Sequence, residues 1–354
     1  MKILYAVQGT GNGHASRASE FIPLFRQHGS VDVLVSGNSV DVDMGQPVNY
    51  HLHGLSFTFG RRGGIDIPQT LQKLSLMRFY REVRDFPIQR YDLVINDFEP
   101  VTAWAARRAG VPCVALSHQA SFLSELTPRP ALRNPAAEAV MRYFAPSQGA
   151  VGVHFSRYDT FIHTPLIRTA VRNLDPVNRG HITVYLPAYD DRWLLGFFQA
   201  VPGVKWHVFS KTCRAAYTAG NVDVMPVSSV GYLKSLESCQ GLICGAGFEA
   251  PAEGLYLGKK LMVIPMKNQY EQKCNAAALK KMGVTIGQTI RKDFPVRLTK
   301  WLDQPGIIKP DYADNKWKLV DQVLDLAGSS TVPVNLPGIP FSPVKNFPLK
   351  NIPA

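Results

Sequence analysis

Short apolar runs alternate with helical patterns in the first half of the chain. The clearest helical pattern covers residues 15–28, where Ala18, Ile22 and Phe25 fall on one face and Gly29 follows as a stop. The apolar runs are rich in Val, Ile and Leu, as expected of strands covered on both faces. They read KILYAV, VDVLVS, YDLVIN, PCVALS and GAVGVHF. This regular order of strand, helix and strand predicts an α/β protein with parallel sheets.

A second series of strands follows residue 180. Helical stretches are predicted over 190–200, 229–238, 249–257 and 268–282. The apolar runs between them are HITVY, VKWHVFS, VDVMPV, GLICG and LMVIP. The polar segment RNLDPVNRG separates the two series and is typical of a domain boundary.

We therefore predict two domains, over residues 1–178 and 181–330, followed by a Pro-rich tail over 331–354. In open parallel sheets, ligands bind beyond the carboxyl ends of the strands. Two such domains would face each other across a cleft lined by those ends.

Composition narrows the class of protein. The chain has 354 residues, of which 45% are hydrophobic and 19% charged, a profile typical of a folded globular protein. It contains no apolar run of about 18 residues, so no transmembrane helix is predicted. The five cysteines are odd in number and form no CxxC pair, which disfavours a disulfide framework or a zinc site. We expect a protein of the reducing cytoplasm.

The formal net charge of +12 favours an anionic partner. Nucleic acid, anionic lipids and a negatively charged sugar nucleotide all fit this charge. Nucleic acid is disfavoured, because the sequence has neither a basic run of five residues nor a nucleic-acid-binding motif. Peripheral attachment to the inner face of the membrane stays open.

A glycine loop, GTGNGH, follows the first strand. It lacks the Lys of a nucleoside-triphosphate loop, and no acidic residue ends the second strand to hold a dinucleotide's ribose. Gly11, Asn12 and Gly13 instead predict a turn that a ligand can approach closely. His14 lies at the start of the next helix, where the helix dipole disfavours imidazolium and a neutral ring can accept a proton. A purely structural histidine is the alternative.

Two further polar residues follow strands of the first half. Asp97 follows YDLVIN and His118 follows PCVALS, so both are expected at the same sheet edge as His14. A carboxylate on the far ring nitrogen of a histidine fixes its tautomer and stabilises its protonated form. Asp97 is the first candidate for this role and Glu99 the second. The alternative for Asp97 is to cap the helix that starts near Val101.

The most informative stretch is GLICGAGFEAPAEGLYLGKKLMVIPMKNQYEQKCN. Its glycine turn opens a helix, and free backbone N–H groups at such a point suit a diphosphate. Glu253 lies in this helix, where its carboxylate can accept hydrogen bonds from ribose hydroxyls. Glu271 and Gln272 follow the next strand and suit the hydroxyls of a sugar.

This segment resembles the nucleotide-sugar binding region of GT-B glycosyltransferases. The resemblance is to UDP-glycosyltransferases and to the bacterial N-acetylglucosaminyltransferase that completes the peptidoglycan lipid precursor. It implies a GT-B fold of two Rossmann-like domains and an inverting transfer from a UDP-sugar, with His14 as general base and Asp97 as its partner. Neither a cofactor nor a metal is expected.

The resemblance also implies a set of donor-binding residues. The diphosphate would lie on the glycine turn, the ribose on Glu253 and the donor sugar on the Glu271 and Gln272 pair. The turn comprises Gly245, Gly247, Phe248 and Glu249.

The sequence departs from the family pattern at two of these positions. Plant enzymes have His where this chain has Gly245, and Asp where it has Glu271. Lys211, just after a strand, is our candidate for the positive charge that the missing histidine would supply.

The acceptor is expected in the first domain, beside Gly11, Asn12, Gly13 and His118. Arg61, in the loop GLSFTFGRRGGIDIP, suits a phosphate or carboxylate on the acceptor. A lipid-linked or an anionic sugar fits this set.

Two other functions stay open. A UDP-sugar 2-epimerase on the same fold would need several carboxylates in the cleft. A non-catalytic nucleotide-sugar binding protein would keep the fold without turnover.

Overall fold

The first half of the chain builds a seven-stranded parallel sheet. The computed structural model describes residues 1–10, 12–39, 44–55, 59–60, 64–65 and 75–329. The sheet order is β3-β2-β1-β6-β7-β8-β9, while β4 and β5 form a separate antiparallel pair. The strands are β1 (Lys2–Thr10), β2 (Ser30–Ser39), β3 (Tyr50–Leu52), β4 (Phe59–Gly60), β5 (Gly64–Ile65), β6 (Leu93–Asp97), β7 (Cys113–Ser117), β8 (Gly149–Val153) and β9 (Ile162–His163).

The second half builds another seven-stranded sheet, in the order β12-β13-β11-β10-β14-β15-β16. Every neighbouring pair is parallel except β12 and β13, which are antiparallel. The strands are β10 (His181–Tyr185), β11 (Lys205–Ser210), β12 (Tyr217–Ala219), β13 (Val222–Pro226), β14 (Gly241–Gly245), β15 (Lys260–Ile264) and β16 (Thr285–Ile286). Both sheets are covered by helices, which confirms the predicted α/β class.

Four helices of the second half match the predicted stretches closely, whereas the last two, after residue 290, were not predicted. Short 3-10 helices cover Ile88–Arg90 and Gln119–Leu123. The α-helices of the first half are α1 (Asn12–Phe25), α2 (Leu76–Asp85), α3 (Pro100–Ala109), α4 (Pro135–Tyr143) and α5 (Thr169–Arg172). Those that follow are α6 (Asp191–Gln199), α7 (Ser229–Ser238), α8 (Glu249–Tyr256), α9 (Tyr270–Lys281), α10 (Phe294–Asp303) and α11 (Lys316–Gly328).

The predicted apolar face of α1 is buried against the first sheet. Ala18, Phe21, Ile22 and Phe25 are fully buried together with residues of β1 and β2. The helix ends at Phe25, before the predicted stop. Gly29 serves another purpose, because a Cβ there would lie 2.0 Å from the carbonyl oxygen of Met1.

The last helix, α11, departs from the predicted division of the chain. It was assigned to the second domain, but it packs on α1, β7 and β8 of the first half. Its apolar residues Leu319, Val320 and Val323 are fully buried there. This packing covers apolar surface of the first sheet, which is why the chain returns to it. The predicted tail, 331–354, lies outside the described residues.

The two halves share one hydrophobic core. The buried cluster that contains α1 and the first sheet continues into β14 and α8 of the second half, through Leu242, Cys244 and Ala252. Phe248, just before α8, extends this contact by stacking on His118 of the first half, with 4.1 Å between ring centroids. The carboxyl ends of the two sheets therefore meet along one packed interface.

Candidate active site

Parallel pairing of β1 with β6 brings His14 and Asp97 together. Val7 of β1 lies opposite Asp97, the last residue of β6, and His14 lies in the first turn of α1. His14 Nδ1 is 2.8 Å from Asp97 Oδ1, and both side chains are buried. An ionised carboxylate accepts this bond, so Nδ1 carries the proton and Nε2 the lone pair. The structure thus brings together the two residues that the sequence predicts as a pair.

The helix-capping alternative for Asp97 is wrong, because Glu99 caps α3 instead. Its Oε1 accepts from Val101 N at 2.8 Å and its Oε2 from Thr102 N at 2.7 Å. Phe98, between Asp97 and Glu99, has φ 59°, a left-handed conformation that non-glycine residues rarely adopt. This turn lets two nearby carboxylates serve different sites, and it removes Glu99 as the second candidate partner of His14.

Arg17 is a site residue that the sequence reasoning missed. Its Nε lies 3.0 Å from Asp97 Oδ2 and its Nη2 2.9 Å from Asp97 Oδ1, a bidentate arrangement. Burial raises the pKa of Asp97, but Arg17 and His14 outweigh burial and hold it below its ordinary value. The available signal was position, since Arg17 lies three residues after His14 and therefore neighbours it on the helix surface.

Arg17 also reaches the second half of the molecule. Its Nη1 lies 2.6 Å from Glu249 Oε1, in the first turn of α8. Burial raises the pKa of Glu249 to about 7, and the carboxylates of Glu253 and Asp97 act in the same direction. Arg17 opposes this shift only in part, because its single charge is already shared with Asp97.

The predicted glycine turn opens α8 as expected for an anion site. Phe248 stands at the N-cap and supplies no side-chain hydrogen bond to the helix. A Cβ on Gly247 would meet nothing within 4 Å, so the backbone is open on that side. The turn therefore offers N–H groups and the positive end of the helix dipole to a ligand.

A cavity of about 290 Å³ lies in front of this turn and is lined by both halves. Gly13, the neighbour of His14, belongs to its wall. From the second half it is lined by Gly245, Gly247, Phe248, Glu249, Glu253 and Gln272, and by residues within the segments 185–189 and 227–232.

Arg168 is the second missed residue of this cavity. It precedes α5 and lines the cavity, and its Nε lies 2.5 Å from Oε1 of the buried Glu253. Glu253 was predicted to hold a ribose, and here it holds an arginine from the first half. Only the approach of the two halves reveals this cation, because its segment carries no recognisable motif.

The other predicted donor residues differ in their placement. Gln272 lines the cavity, and its Oε1 accepts from Met266 N at 2.9 Å. Glu271 lies nearby on α9 and accepts from Gln119 Nε2 of the first half at 3.1 Å. Lys211 is exposed and is not among the cavity's lining residues, so the structure does not bring it to the turn.

The predicted acceptor residues also separate. His118 is buried between the halves, where burial lowers its pKa, and its ring nitrogens lie 2.9 Å from Val153 O and 2.8 Å from Asn275 Oδ1. Its acceptor role stays a prediction. Asn12 is the first residue of α1, whereas Gly11 and Arg61 lie outside the described residues.

The described part of the chain contains no group of three or more His, Cys, Asp and Glu residues that could hold a metal ion. That the reaction needs neither a metal nor a cofactor stays a prediction.

Comparison with known proteins identifies the family. The sequence model described as "Glycosyl transferase family 1" matches residues 1–302. The chain belongs to glycosyl transferase family 1. A search of curated protein sequences finds no match.

Solved structures confirm the GT-B architecture of this glycosyltransferase. Spinosyn forosaminyltransferase SpnP has a TM-score of 0.54 and 15% identity, over 92% of this chain and 95% of its own. MurG from Acinetobacter baumannii has a TM-score of 0.51 and 15% identity, over 93% and 95%. S. aureus MnaA, in a structure with UDP, has a TM-score of 0.55 and 12% identity, over 92% and 97%. At these identities the likeness concerns the fold.

Glu249→Gln is expected to flatten the pH dependence of stability. The folded pKa of Glu249 is about 7 against an ordinary 4.5, so the native state binds more protons than the unfolded state between these values. The contribution of Glu249 is therefore complete below about pH 4.5 and is lost as the pH rises through about 7. Urea unfolding at both ends of this interval measures the difference. Glu20→Gln, on the same helix as Arg17, is the control, and equal slopes for Glu249→Gln and the wild type would contradict the assignment.

Proposed function

We propose that this glycosyltransferase moves a sugar from a UDP-sugar to an acceptor hydroxyl with inversion of configuration. One observation carries the proposal. The first turn of α1, which holds His14 against Asp97, borders the same cavity as the glycine turn of α8. The proposed proton acceptor thus adjoins a residue of the cavity wall onto which the proposed anion site opens.

The proposed reaction uses the free ring nitrogen of His14. Nε2 takes the proton of the acceptor hydroxyl as its oxygen attacks the anomeric carbon of the donor. The bond between that carbon and the diphosphate oxygen breaks, and UDP leaves with the electron pair. Asp97 stabilises the imidazolium through Nδ1. Backbone N–H groups at the start of α8 stabilise the charge that develops on the diphosphate.

Arg168 is our candidate for the cation of the donor site, in place of Lys211. It lines the cavity beside the glycine turn and is paired with Glu253. When a donor binds, the Arg168–Glu253 pair would separate. Glu253 would then accept hydrogen bonds from the ribose hydroxyls, and Arg168 would bind the diphosphate. The donor sugar would lie toward Glu271 and Gln272, and the uracil of UDP toward the segment 227–232.

His14→Ala is expected to lower the transfer rate roughly 10²- to 10⁴-fold, the usual loss when a general base is removed. The measurement is UDP release from UDP-sugars with candidate lipid-linked and anionic acceptors. His28→Ala, an exposed histidine after the same helix, is the control and should keep the wild-type rate. Full transfer by His14→Ala would refute the base assignment and favour a base elsewhere.

Arg168→Gln is expected to weaken UDP binding about 10-fold or more, since a hydrogen bond to a charged group contributes about 1.5–3 kcal/mol. Lys211→Gln should bind UDP as the wild type does. Calorimetric titration with UDP, dTDP, GDP, ADP and NAD measures both the affinity and the choice of base. Weaker UDP binding by Lys211→Gln, with Arg168→Gln unchanged, would reverse the assignment.

A UDP-sugar 2-epimerase is the second candidate, and the structure gives one observation in its favour. Glu249 and Glu253 line the cavity, and Arg17 joins Glu249 to Asp97. The two halves together therefore bring three carboxylates to this region. Product analysis without an acceptor separates the two reactions. An epimerase then converts the UDP-sugar to its epimer, whereas a transferase leaves its stereochemistry at C2 unchanged.

For the acceptor we propose a lipid-linked or anionic sugar, met at the cytoplasmic membrane surface. No helix within the described ranges is long and apolar enough to span a membrane. Helix α2 buries none of its residues and exposes Leu76, Met77 and Tyr80. It also carries Arg78, Arg81 and Arg84, which suits an anionic bilayer.

The paired change Leu76→Ser and Met77→Ser is therefore expected to abolish sedimentation with anionic vesicles, which the wild type should show at low salt. Leu132→Ser removes an even more exposed apolar side chain that does not belong to α2 and is the control. Equal sedimentation of all three proteins would exclude α2 as the membrane surface.

A further inference from the structure

The Arg17 guanidinium already balances the negative charge of the Asp97 carboxylate. Arg17 binds both of its oxygens, at 2.9 and 3.0 Å, and the pair is buried. A neutral Asp97–Arg17 pair stabilises an imidazolium far less than a free carboxylate does. His14 would thus be a weak proton acceptor if these two residues acted alone.

Glu249 supplies a second carboxylate to the same guanidinium. Its Oε1 lies 2.6 Å from Arg17 Nη1, and it comes from α8 in the other half of the molecule. The Glu249 side chain packs closely on Gly13, because a Cβ on Gly13 would lie only 3.0 Å from Glu249 Cγ. A glycine before His14 therefore leaves room for Glu249 to pack against α1.

Among the described residues, the other ionisable groups near this cluster form a neutral pair or are uncharged. Arg168 and Glu253 form a neutral pair at 2.5 Å. Burial and the Asp97 charge hold the pKa of Tyr5 well above its ordinary value, so this phenol is neutral. With Glu249 ionised, Asp97, Arg17 and Glu249 therefore carry a net charge of −1 beside His14. With Glu249 neutral or displaced, they carry none.

We propose that Arg17 and Glu249 are positioning residues that set the proton affinity of His14. Glu249 restores the negative charge that Arg17 cancels on Asp97, so the base is competent only when the donor-binding half is seated against the first. This inference deepens the proposed function and rests on it for the role of His14. It also explains a carboxylate at the start of α8, where an unpaired one would repel a diphosphate.

The charge count makes a prediction that a structural salt bridge does not. Above about pH 7, where Glu249 is ionised, Glu249→Gln changes the net charge of the cluster from −1 to 0, and the double variant with Arg17→Gln returns it to −1. Arg17→Gln alone also keeps −1, because loss of the cation raises the pKa of Glu249 further and leaves its carboxyl protonated. Histidine-labelled protein, followed by NMR above about pH 7 and below, reports the midpoint at which His14 takes up a proton. That midpoint is expected to fall in Glu249→Gln and to return in the double variant.

Turnover gives the second readout. Glu249→Gln is expected to lower kcat about 10-fold, the equivalent of one unit in proton affinity, and the double variant to recover it. Glu20→Gln is the matched control, since Glu20 is also on α1 and binds Thr169 and Lys316 away from His14. It should change neither readout.

The outcomes separate this inference from the proposed function. An unchanged His14 titration in Glu249→Gln, or a double variant worse than either single one, would overturn the inference even where His14→Ala is inactive. The predicted titration shifts, found together with an active His14→Ala, would support the charge coupling and refute the proposed base.

Discussion

The contact on which this molecule depends is the buried Arg17 guanidinium, held between Asp97 of the first half and Glu249 of the second. A buried charge costs several kcal/mol unless it is paired and hydrogen-bonded. Here one cation satisfies two carboxylates from different sheets. Separation of the halves would leave Arg17 bound to Asp97 but would leave Glu249 without its partner, so the Arg17–Glu249 ion pair favours one specific approach of the two halves.

Apolar packing supports the same arrangement. Phe248, just before α8, stacks on His118, whose ring lies within hydrogen-bond distance of Asn275 on α9. Asn275 donates to Ala246 O within the glycine turn. The turn that faces the cavity is therefore held from behind by a side chain that also contacts the first half. A donor bound at this turn would meet a backbone already fixed in place, as preorganised stabilisation requires.

Much of the fold and part of the site follow from the sequence. Strands such as KILYAV and GLICG were predicted because apolar runs between turn residues have few other solutions. His14 and Asp97 were predicted as a pair because each follows a strand, and parallel strands end at one edge. The glycine turn at 245–247 was predicted because only residues without bulky side chains leave helix N–H groups open.

The missed residues share a physical cause. Arg17 and Glu249 are 232 positions apart, and Arg168 and Glu253 are 85 apart, so neither pairing leaves a local pattern. Lys211 was proposed because it follows a strand, yet it is exposed and does not line the cavity. The return of α11 to the first sheet was also missed, since an amphipathic helix does not specify which of two sheets it covers.

The most direct test of the account is a crystal structure of the protein with UDP. The account predicts the diphosphate on the backbone of Gly247 and Phe248, Glu253 on the ribose hydroxyls and Arg168 moved from Glu253 to the diphosphate. It predicts that Arg17 still joins Asp97 to Glu249. UDP bound away from the α8 turn, or a nucleotide that leaves the Arg168–Glu253 pair intact, would contradict it.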